Sequence, residues 1–443
     1  MRSATPKLLH PLCGRPMIGW VVAAARAAGA AKIVVVDAPG RPLTDFLAED
    51  VVTVVQEEAR GTADALNAAR GEFGRDGTVV VLNGDVPLIR PETISALVAA
   101  RANAGAAATI LTAVLEDPTG YGRVLRAHDG TVERVVETKK PQDATREELR
   151  VREVNSGVYA FDGEALLPAL AAVGNHNAQS EYYLPDVLPI LRAETRLVTA
   201  HPVDDVEETL GVNDRVQLSE VRSVAQRRIA ERLLLSGATI VDPAATVIDV
   251  DVSLEPDTRI EPGCALRGAT VVGEGSVIGP HTTLIDTSVG RGCSVVHSYA
   301  VGARLADRVT VGPFAYLRPG TVLLEDAKAG TFVELKNSEL GARSKVPHLS
   351  YIGDATIGED SNLGASTITA NYDGANKHPT RIGDRVHTGV DTVLVAPVKL
   401  GSDSYTGAGS VITDDVPEAG LGIARPRQSN IDDYAQRVKE RSK

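Results

Sequence analysis

Aromatic side chains are scarce in this chain: five Phe, ten Tyr and one Trp make up 4% of 443 residues. Much of the core is therefore expected to be aliphatic. Cysteine is nearly absent as well. Cys13, Cys264 and Cys293 are odd in number and form no C-x-x-C pair. They exclude a disulfide framework and read as buried, inert thiols of a reducing compartment. No stretch reaches roughly 18 uninterrupted apolar residues, so no membrane-spanning helix is expected. Met1 to Lys7 contains no apolar signal region, which speaks against a secretory leader. Positive charge is also in deficit. Lys and Arg number 46 against 58 Asp and Glu, a net charge of −12 with no long basic tract. That balance disfavours nucleic acid and anionic membranes as partners. The expectation is a cytoplasmic protein acting on small molecules, of two or three domains by its length.

What the chain has in excess is glycine, 41 residues, and it is unevenly used. From Ile33 to about Val212, short β-branched runs alternate with helical stretches. Strands are expected at Ile33–Val36, Val51–Val55, Thr78–Leu82, Thr109–Val114, Glu133–Val136, Val158–Phe161 and Arg196–Thr199. Helices are expected over Gly19–Ala28, Ala63–Arg70 and Pro91–Ala102, the last opened by Pro in its first turn. This pattern predicts an α/β, Rossmann-like domain over 1–212 with a largely parallel sheet, its ligands lying beyond the carboxyl ends of the strands. Residues 213–237 read as a charged linker helix ending at Gly237.

After residue 237 the texture changes. Aliphatic–Gly pairs recur, among them Val272-Gly273, Ile278-Gly279, Ile357-Gly358, Leu363-Gly364, Ile382-Gly383 and Leu400-Gly401. Steps such as 273 to 279, 358 to 364 and 383 to 389 are each six residues. A hexad of this kind predicts a parallel β-helix over 238–443, each short strand sending one aliphatic side chain inward. Such a coil leaves little room for rings, which accounts for their scarcity. Two stretches break the phase, Thr321 to Leu349 and Thr369 to Arg381, and both are expected as insertions on one face.

Several residues are suited to chemistry. Asp85, in Leu82-Asn83-Gly84-Asp85-Val86-Pro87-Leu88, follows a buried strand. A lone carboxylate there suits a hard cation such as Mg²⁺, the alternative being a turn that caps the next helix. Lys7 is a candidate to neutralise phosphate, or merely a solvated surface lysine. His348, in Lys345-Val346-Pro347-His348-Leu349-Ser350-Tyr351, could deprotonate an amine, or be structural. Arg318, Lys336 and Lys345 form an expected cationic cluster for a sugar phosphate or coenzyme phosphates, unless they only solvate a surface. His281, His297, His348, His378 and His387 are scattered and form no H-x₄-H pair, which speaks against a three-histidine zinc site.

These motifs, in colinear order to about Arg427, resemble the bacterial family that combines N-acetylglucosamine-1-phosphate uridylyltransferase with glucosamine-1-phosphate N-acetyltransferase. The first half carries the resemblance in Pro6-Lys7, Leu9-His10-Pro11-Leu12-x-Gly14-Arg15-Pro16-Met17, Gln56…Gly61-Thr62, the Asp85 segment, Gly120-Tyr121-Gly122-Arg123, Glu137, Asn155-Ser156-Gly157 and Gly211-Val212-Asn213. The second half carries it in Arg318-Pro319-Gly320, Phe332-Val333-Glu334-Leu335-Lys336, His348-Leu349-Ser350-Tyr351-Ile352-Gly353-Asp354 and Asn371-Tyr372-Asp373-Gly374. The resemblance implies a left-handed parallel β-helix, a homotrimer, and two reactions. Acetyl-CoA would acetylate glucosamine-1-phosphate, and UTP would then give UDP-N-acetylglucosamine, a cell-wall and lipopolysaccharide precursor, with pyrophosphate. By the same resemblance Asp85 and Asn213 hold Mg²⁺. Lys7, Gln56, Gly61, Thr62, Gly122, Glu137, Asn155 and Asn213 contact the uridine nucleotide and amino sugar. Arg318 and Lys336 grip the sugar phosphate, Tyr351 and Asn362 the sugar, and His348 is the general base, with Glu334 a candidate to orient it. Ala365, Asn371, Tyr372, Val390, Ala408 and Arg425 line acetyl-CoA between neighbouring subunits.

The sequence departs from the family pattern twice. The family begins with a strand and a Gly-rich loop, Leu-Ala-Ala-Gly-x-Gly-Thr-Arg-Met, whose backbone N–H groups cradle phosphates. This chain opens at Met1-Arg2-Ser3, where that motif ends. The expectation is that the reading frame continues upstream; without the loop, acetyl transfer alone would remain. At the coenzyme site the family's Gly-Ser-Asp is Gly389-Val390-Asp391 here, which removes a hydroxyl worth about 1 kcal/mol. Two other functions compete, another sugar-1-phosphate nucleotidyltransferase and a non-catalytic scaffold. The first lacks the His348 and Asn371–Gly374 elements; the second leaves Lys7, Asp85, Asn213 and His348 without purpose.

Overall fold

The computed structural model describes residues 1–138, 144–175 and 180–441. The chain divides into two units, Met1–Ala225 and Gln226–Lys443. The helix Arg215–Leu235 runs across that division.

The first unit is an α/β fold. Its strands are β1 (Val34–Asp37), β2 (Val52–Val55), β3 (Thr78–Val81), β4 (Ala108–Val114), β5 (Arg123–Arg126), β6 (Val132–Val136), β7 (Glu153–Asp162) and β8 (Val198–Pro202). The helices Met17–Ala27, Thr62–Ala68 and Pro91–Ala104 fall where the sequence pattern puts them. The third begins at Pro91 and ends at Gly105 with φ of 61°, a left-handed stop that favours glycine. The sheet, however, is mixed. β7 runs antiparallel to β3, β4 and β5, and among the described residues of this unit only β8–β4 and β1–β2 are parallel. The reason lies between β4 and β7. That stretch carries the antiparallel β5–β6 pair in place of a crossover helix, so the chain re-enters the sheet reversed. β5 was not expected, because Arg123-Val124-Leu125-Arg126 is charged at both ends.

Among the described residues, β1 pairs only with β2, and β3 only with β7. Their open edges border a cavity of about 1420 Å³, walled by Ile33–Val36 on one side and Thr78–Leu82 on the other. Behind β7 a compact core gathers Ile110, Tyr159, Phe161, Leu166, Leu188 and Val198.

The second unit is a left-handed parallel β-helix with three faces of two- to four-residue strands. The first face runs from Thr239–Ile240 to Lys345–His348, the second from Val247–Ile248 to Val411–Ile412, the third from Ser253–Leu254 to Val398–Leu400. Most strands expose one residue and bury the next, so Ile278, Val295 and Val311 stack inward on the first face, Leu317, Leu335 and Ile352 on the second. Small hydroxyl residues fill the corners. Ser276 and Ser344 are buried yet satisfied, each donating to a carbonyl one coil on, Gly290 at 2.8 Å and Gly358 at 2.6 Å. Truncating a stacked residue such as Leu335 to Ala would cost about 2–5 kcal/mol, because a narrow coil cannot close the void.

One expected insertion is overturned. Thr321 to Leu349 stays inside the coil, as strands Val322–Leu323, Lys328–Thr331, Glu334–Lys336, Glu339–Leu340 and Lys345–His348. The phase breaks because these coils are short by one residue: 323 to 340 and 340 to 357 on the third face are each 17. The other break is a real excursion, leaving the coil after Ala370 and returning at Thr380.

Candidate active sites

In the first unit the expected nucleotide residues Lys7, Gln56, Thr62, Asp85, Glu137 and Asn155 all line the cavity between β1 and β3. Gly61 adjoins it with φ of 116°, and a side chain there would strike the Tyr182 carbonyl at 2.4 Å. Gln56 reaches back to the Gly61 carbonyl at 3.1 Å and to Asp64 at 2.8 Å. Gly122 lies beside Glu137, its missing Cβ 3.5 Å from the carboxylate. Its carbonyl accepts the backbone N–H of Asn155 at 2.9 Å. The wall is closed by Tyr159, stacked on Phe161 at 5.5 Å, whose hydroxyl burial pushes well above its ordinary pKa.

At the end of β3, the Lys7 ammonium stands between two oxygens. It donates to the Asp85 carboxylate at 2.5 Å and to the amide oxygen of Asn213 at 2.9 Å. A carboxylate and an amide oxygen converging on one positive charge are the hard donors that a divalent cation keeping several waters would take. The residues present therefore fit such a cation.

In the second unit the candidate residues sort onto two corners and the face between them. On the first corner, the backbone N–H groups of Leu349, Ser366, Asp391 and Gly409 bond in turn to the carbonyls of Thr331, His348, Ala365 and Val390. His348, Ala365, Val390 and Ala408 thus form one line, a residue per coil. His348 is exposed, and among the described residues its imidazole has no hydrogen-bond partner. Beside this line the same corner carries an exposed apolar stack. Phe314 lies on Phe332 with centroids 5.3 Å apart and near His297 at 5.6 Å, and Leu349 follows them, more than half exposed.

On the second corner, Lys336 meets Asp354 at 2.9 Å. Asn337 and Asn371 donate to the same carboxylate at 2.8 and 2.5 Å. Burial works to raise the Asp354 carboxyl, but Asn337, Lys336 and Asn371 together hold it below its ordinary pKa. Asp354 in turn raises the Lys336 ammonium. Arg318, one coil earlier, pairs with Glu334 at 3.0 Å. Tyr351 stands on the face between the corners, in register with Glu334.

Three expectations are corrected by these positions. Glu334 is engaged by Arg318 and lies on the second face, whereas His348 ends a strand of the first. It is therefore not the group that orients His348. Lys345 lies on the first face, paired with Lys328, and does not join Arg318 and Lys336. His348 closes a regular strand and not a long insertion. Asn362 also lies on the first face, between Lys345 and His387. Tyr372 is exposed at the excursion, its hydroxyl donating to Gly374 at 2.6 Å. Arg425 lies past the last coil, exposed.

Two residues escaped the sequence reading. Asp354 has the densest set of polar partners on the second corner, although its motif was in view. Lys377 stands beside Lys336, whose like charge lowers its ammonium, and within the field of Arg318. The signal was available, since Lys377 closes the Asn371–Gly374 turn sequence only three residues on.

The MobA-like NTP transferase domain family matches residues 1–183. Along nearly the whole chain, the protein is similar to proteins named Bifunctional protein GlmU. That of Corynebacterium aurimucosum is 46% identical over 99% of this chain and 91% of its own length. That of Streptomyces avermitilis is 48% identical over 99% and 92%, and that of Brevibacillus brevis 47% identical over 100% and 96%. With a mixed α/β nucleotidyltransferase unit, a β-helix and identity of this extent, the chain belongs to the GlmU family of bifunctional acetyl- and uridylyltransferases.

Proposed function

We infer that the second unit holds glucosamine-1-phosphate across the face between its two corners, and that His348 takes the proton from the attacking amine. The enzyme carries out both transfers of its family, acetylation of glucosamine-1-phosphate and uridylyl transfer from UTP, producing UDP-N-acetylglucosamine. The observation that carries the acetyl half is the single line of His348, Ala365, Val390 and Ala408. A coenzyme laid along that corner has its thioester end at an unencumbered imidazole. Arg318 and Lys336 on the opposite corner take the phosphate, with Lys377 as a third cation, and Tyr351 packs against the sugar ring between them. Acetyl-CoA is already activated, so the step needs a neutral amine and a base with a pKa near the working pH.

Asn371 and Tyr372, with Val390, Ala408 and Arg425, are assigned to the coenzyme, and Asn362 to the sugar. The exposed stack of Phe314, Phe332 and Leu349, backed by the half-buried His297, supports a homotrimer in which a neighbouring subunit covers that corner and completes the site.

In the first unit the uridine nucleotide and N-acetylglucosamine-1-phosphate are assigned to the cavity lined by Gln56, Thr62, Glu137 and Asn155, flanked by Gly61 and Gly122. A divalent metal belongs to the family's nucleotide chemistry. We assign Mg²⁺ to Asp85 and Asn213, where it would supply charge neutralisation for the triphosphate. Lys7 adds a fixed positive charge beside it, and direct displacement by the sugar phosphate needs no protein nucleophile. The strand and Gly-rich loop of the family pattern would lie between the open edges of β1 and β3. Both units are assigned to a cytoplasmic enzyme; among the described residues no helix is long and apolar enough to cross a membrane.

The test is separate assay of the two products. CoA should appear from acetyl-CoA and glucosamine-1-phosphate alone, and pyrophosphate only with UTP and a divalent metal. Failure to release CoA would refute the assignment of the second unit.

A further inference from the structure

The excursion from Asn371 to His378 is a small hairpin. At its base the backbone N–H of His378 donates to the Asn371 carbonyl at 2.8 Å. One step out, Tyr372 and Lys377 pair as an antiparallel bridge. At the tip Asp373 accepts backbone N–H bonds from Ala375 at 2.8 Å and Asn376 at 2.6 Å. Its second carboxylate oxygen meets Nε2 of His378 at 2.6 Å. This last contact runs from tip to base and encloses the Tyr372–Lys377 pair.

Lys377 needs such a hold. The base of the hairpin is tied to the Lys336 corner, because Asn371 donates to the same Asp354 carboxylate that Lys336 meets at 2.9 Å. Lys377, one step out, thus carries its charge near Lys336 and Arg318, whose like charges repel it and lower its ammonium pKa. Nothing in the backbone pairing of an eight-residue hairpin opposes that repulsion strongly. The contact between Asp373 and His378 does, because it ties the strand that carries Lys377 to the opposite arm.

We propose that His378 is a positioning residue for phosphate binding: through Asp373 it holds Lys377 opposite Lys336 and Arg318, so that a sugar phosphate meets three cations already in place. The inference rests on the assignment of Arg318 and Lys336 to the phosphate. Preorganised cations bind an anion without first paying to gather themselves. His378 fulfils this role in either protonation state, since neutral imidazole still donates Nε2–H to the carboxylate. The carboxyl of Asp373 stays ionised, the Asn376 N–H first and His378 next holding it far below its usual range.

The experiment is steady-state acetyl transfer by the full chain, followed as CoA release with glucosamine-1-phosphate varied. His378→Ala should raise KM for glucosamine-1-phosphate about threefold, the scale of an exposed ion pair, with kcat within about twofold and Tm unchanged. His378→Gln, whose amide N–H can reach the same carboxylate, should recover most of the loss. An unchanged KM in His378→Ala overturns the proposal, as does a fall confined to kcat or a Gln variant as poor as Ala. Lys377→Ala and Arg318→Ala separate the two layers. If they raise KM and His378→Ala does not, only the role of His378 falls. If none of the three raises it, the phosphate assignment itself is wrong.

Discussion

The hydroxyl of Tyr351 occupies the space a side chain at residue 353 would take. A Cβ built on Gly353 would lie 2.4 Å from that oxygen and 2.8 Å from the amide nitrogen of Asn371. The glycine is needed for room, not for turning. It lets the phenol fold back between the sugar face and the Asp354 corner.

Gly353→Ala should therefore dislodge Tyr351 and disturb Asn371 at once. We expect KM for glucosamine-1-phosphate to rise about tenfold, on the scale of losing a well-placed hydrogen-bonding group. The coil should stay folded, since residue 353 has ordinary backbone angles. Kinetics of acetyl transfer alongside circular dichroism would check both halves; unchanged KM would remove Tyr351 from the sugar site.

His348→Ala should lower kcat for acetyl transfer by about 10²–10⁴, the usual contribution of a positioned base. Uridylyl transfer should be untouched. Separate assays of CoA and pyrophosphate release check both halves; full retained CoA release would remove His348 from the role of base.

Asp85→Asn should do the reverse. Pyrophosphate release should fall at least about a hundredfold while CoA release is retained, because loss of a hard anionic donor weakens a divalent metal strongly. Titration with Mg²⁺ distinguishes the cause: partial recovery at high metal is expected, and none is expected for Lys7→Ala, which removes a charge and not a ligand.

Adding the family's strand and Gly-rich loop ahead of Met1 should raise pyrophosphate release by at least about tenfold over the 443-residue chain. Backbone N–H groups placed at the phosphates supply transition-state charge stabilisation on that scale. Tm of the first unit should rise too. An extension that changes neither would show that the cavity between β1 and β3 is not where that strand belongs.

Acid should spare the second unit until low pH. At the third corner, Asp326, Asp360 and Asp403 are held below the ordinary aspartate value by Arg308, Arg343 and Arg385. A depressed folded pKa contributes stability above the unfolded value of about 3.8, lost as pH falls through the folded one. Between pH 7 and about 4.5 the Tm of the β-helix should therefore be nearly flat as far as these groups decide it. These pairs are exposed, so Arg343→Ala should lower Tm by only about one or two degrees in low salt and less in high salt.

Much of this was legible in the sequence, and the exceptions have physical causes. Aliphatic–Gly spacing gives the coil because one inward residue per short strand must recur. It misplaced Thr321 to Leu349 because a coil can lose one residue at a corner without leaving the stack. Lys345 was grouped with Arg318 and Lys336 as one region of the sequence, yet in a three-faced coil about six residues carry a side chain to another face. The mixed sheet was missed because β5, charged at both ends, was not expected as a strand, so its antiparallel pairing with β6 went unseen. Asp354 and Lys377 were passed over because a carboxylate and a lysine in Gly-rich sequence look solvated until their neighbours are known.

The line of residues from His348 to Ala408 has a metric consequence. Adjacent coils are spaced as neighbouring strands, roughly 4.8 Å, so the corner is graduated in equal steps. From the base to Ala408 is three steps, roughly 14 Å. The hairpin at Asn371–His378 does not change that count, because it bulges outward between rungs. The corner thus works as a ruler against which an acyl carrier is measured. Splicing one whole coil between residues 348 and 365 should shift the far contacts by a single graduation and select a longer carrier, while every stacked residue above and below keeps its neighbour.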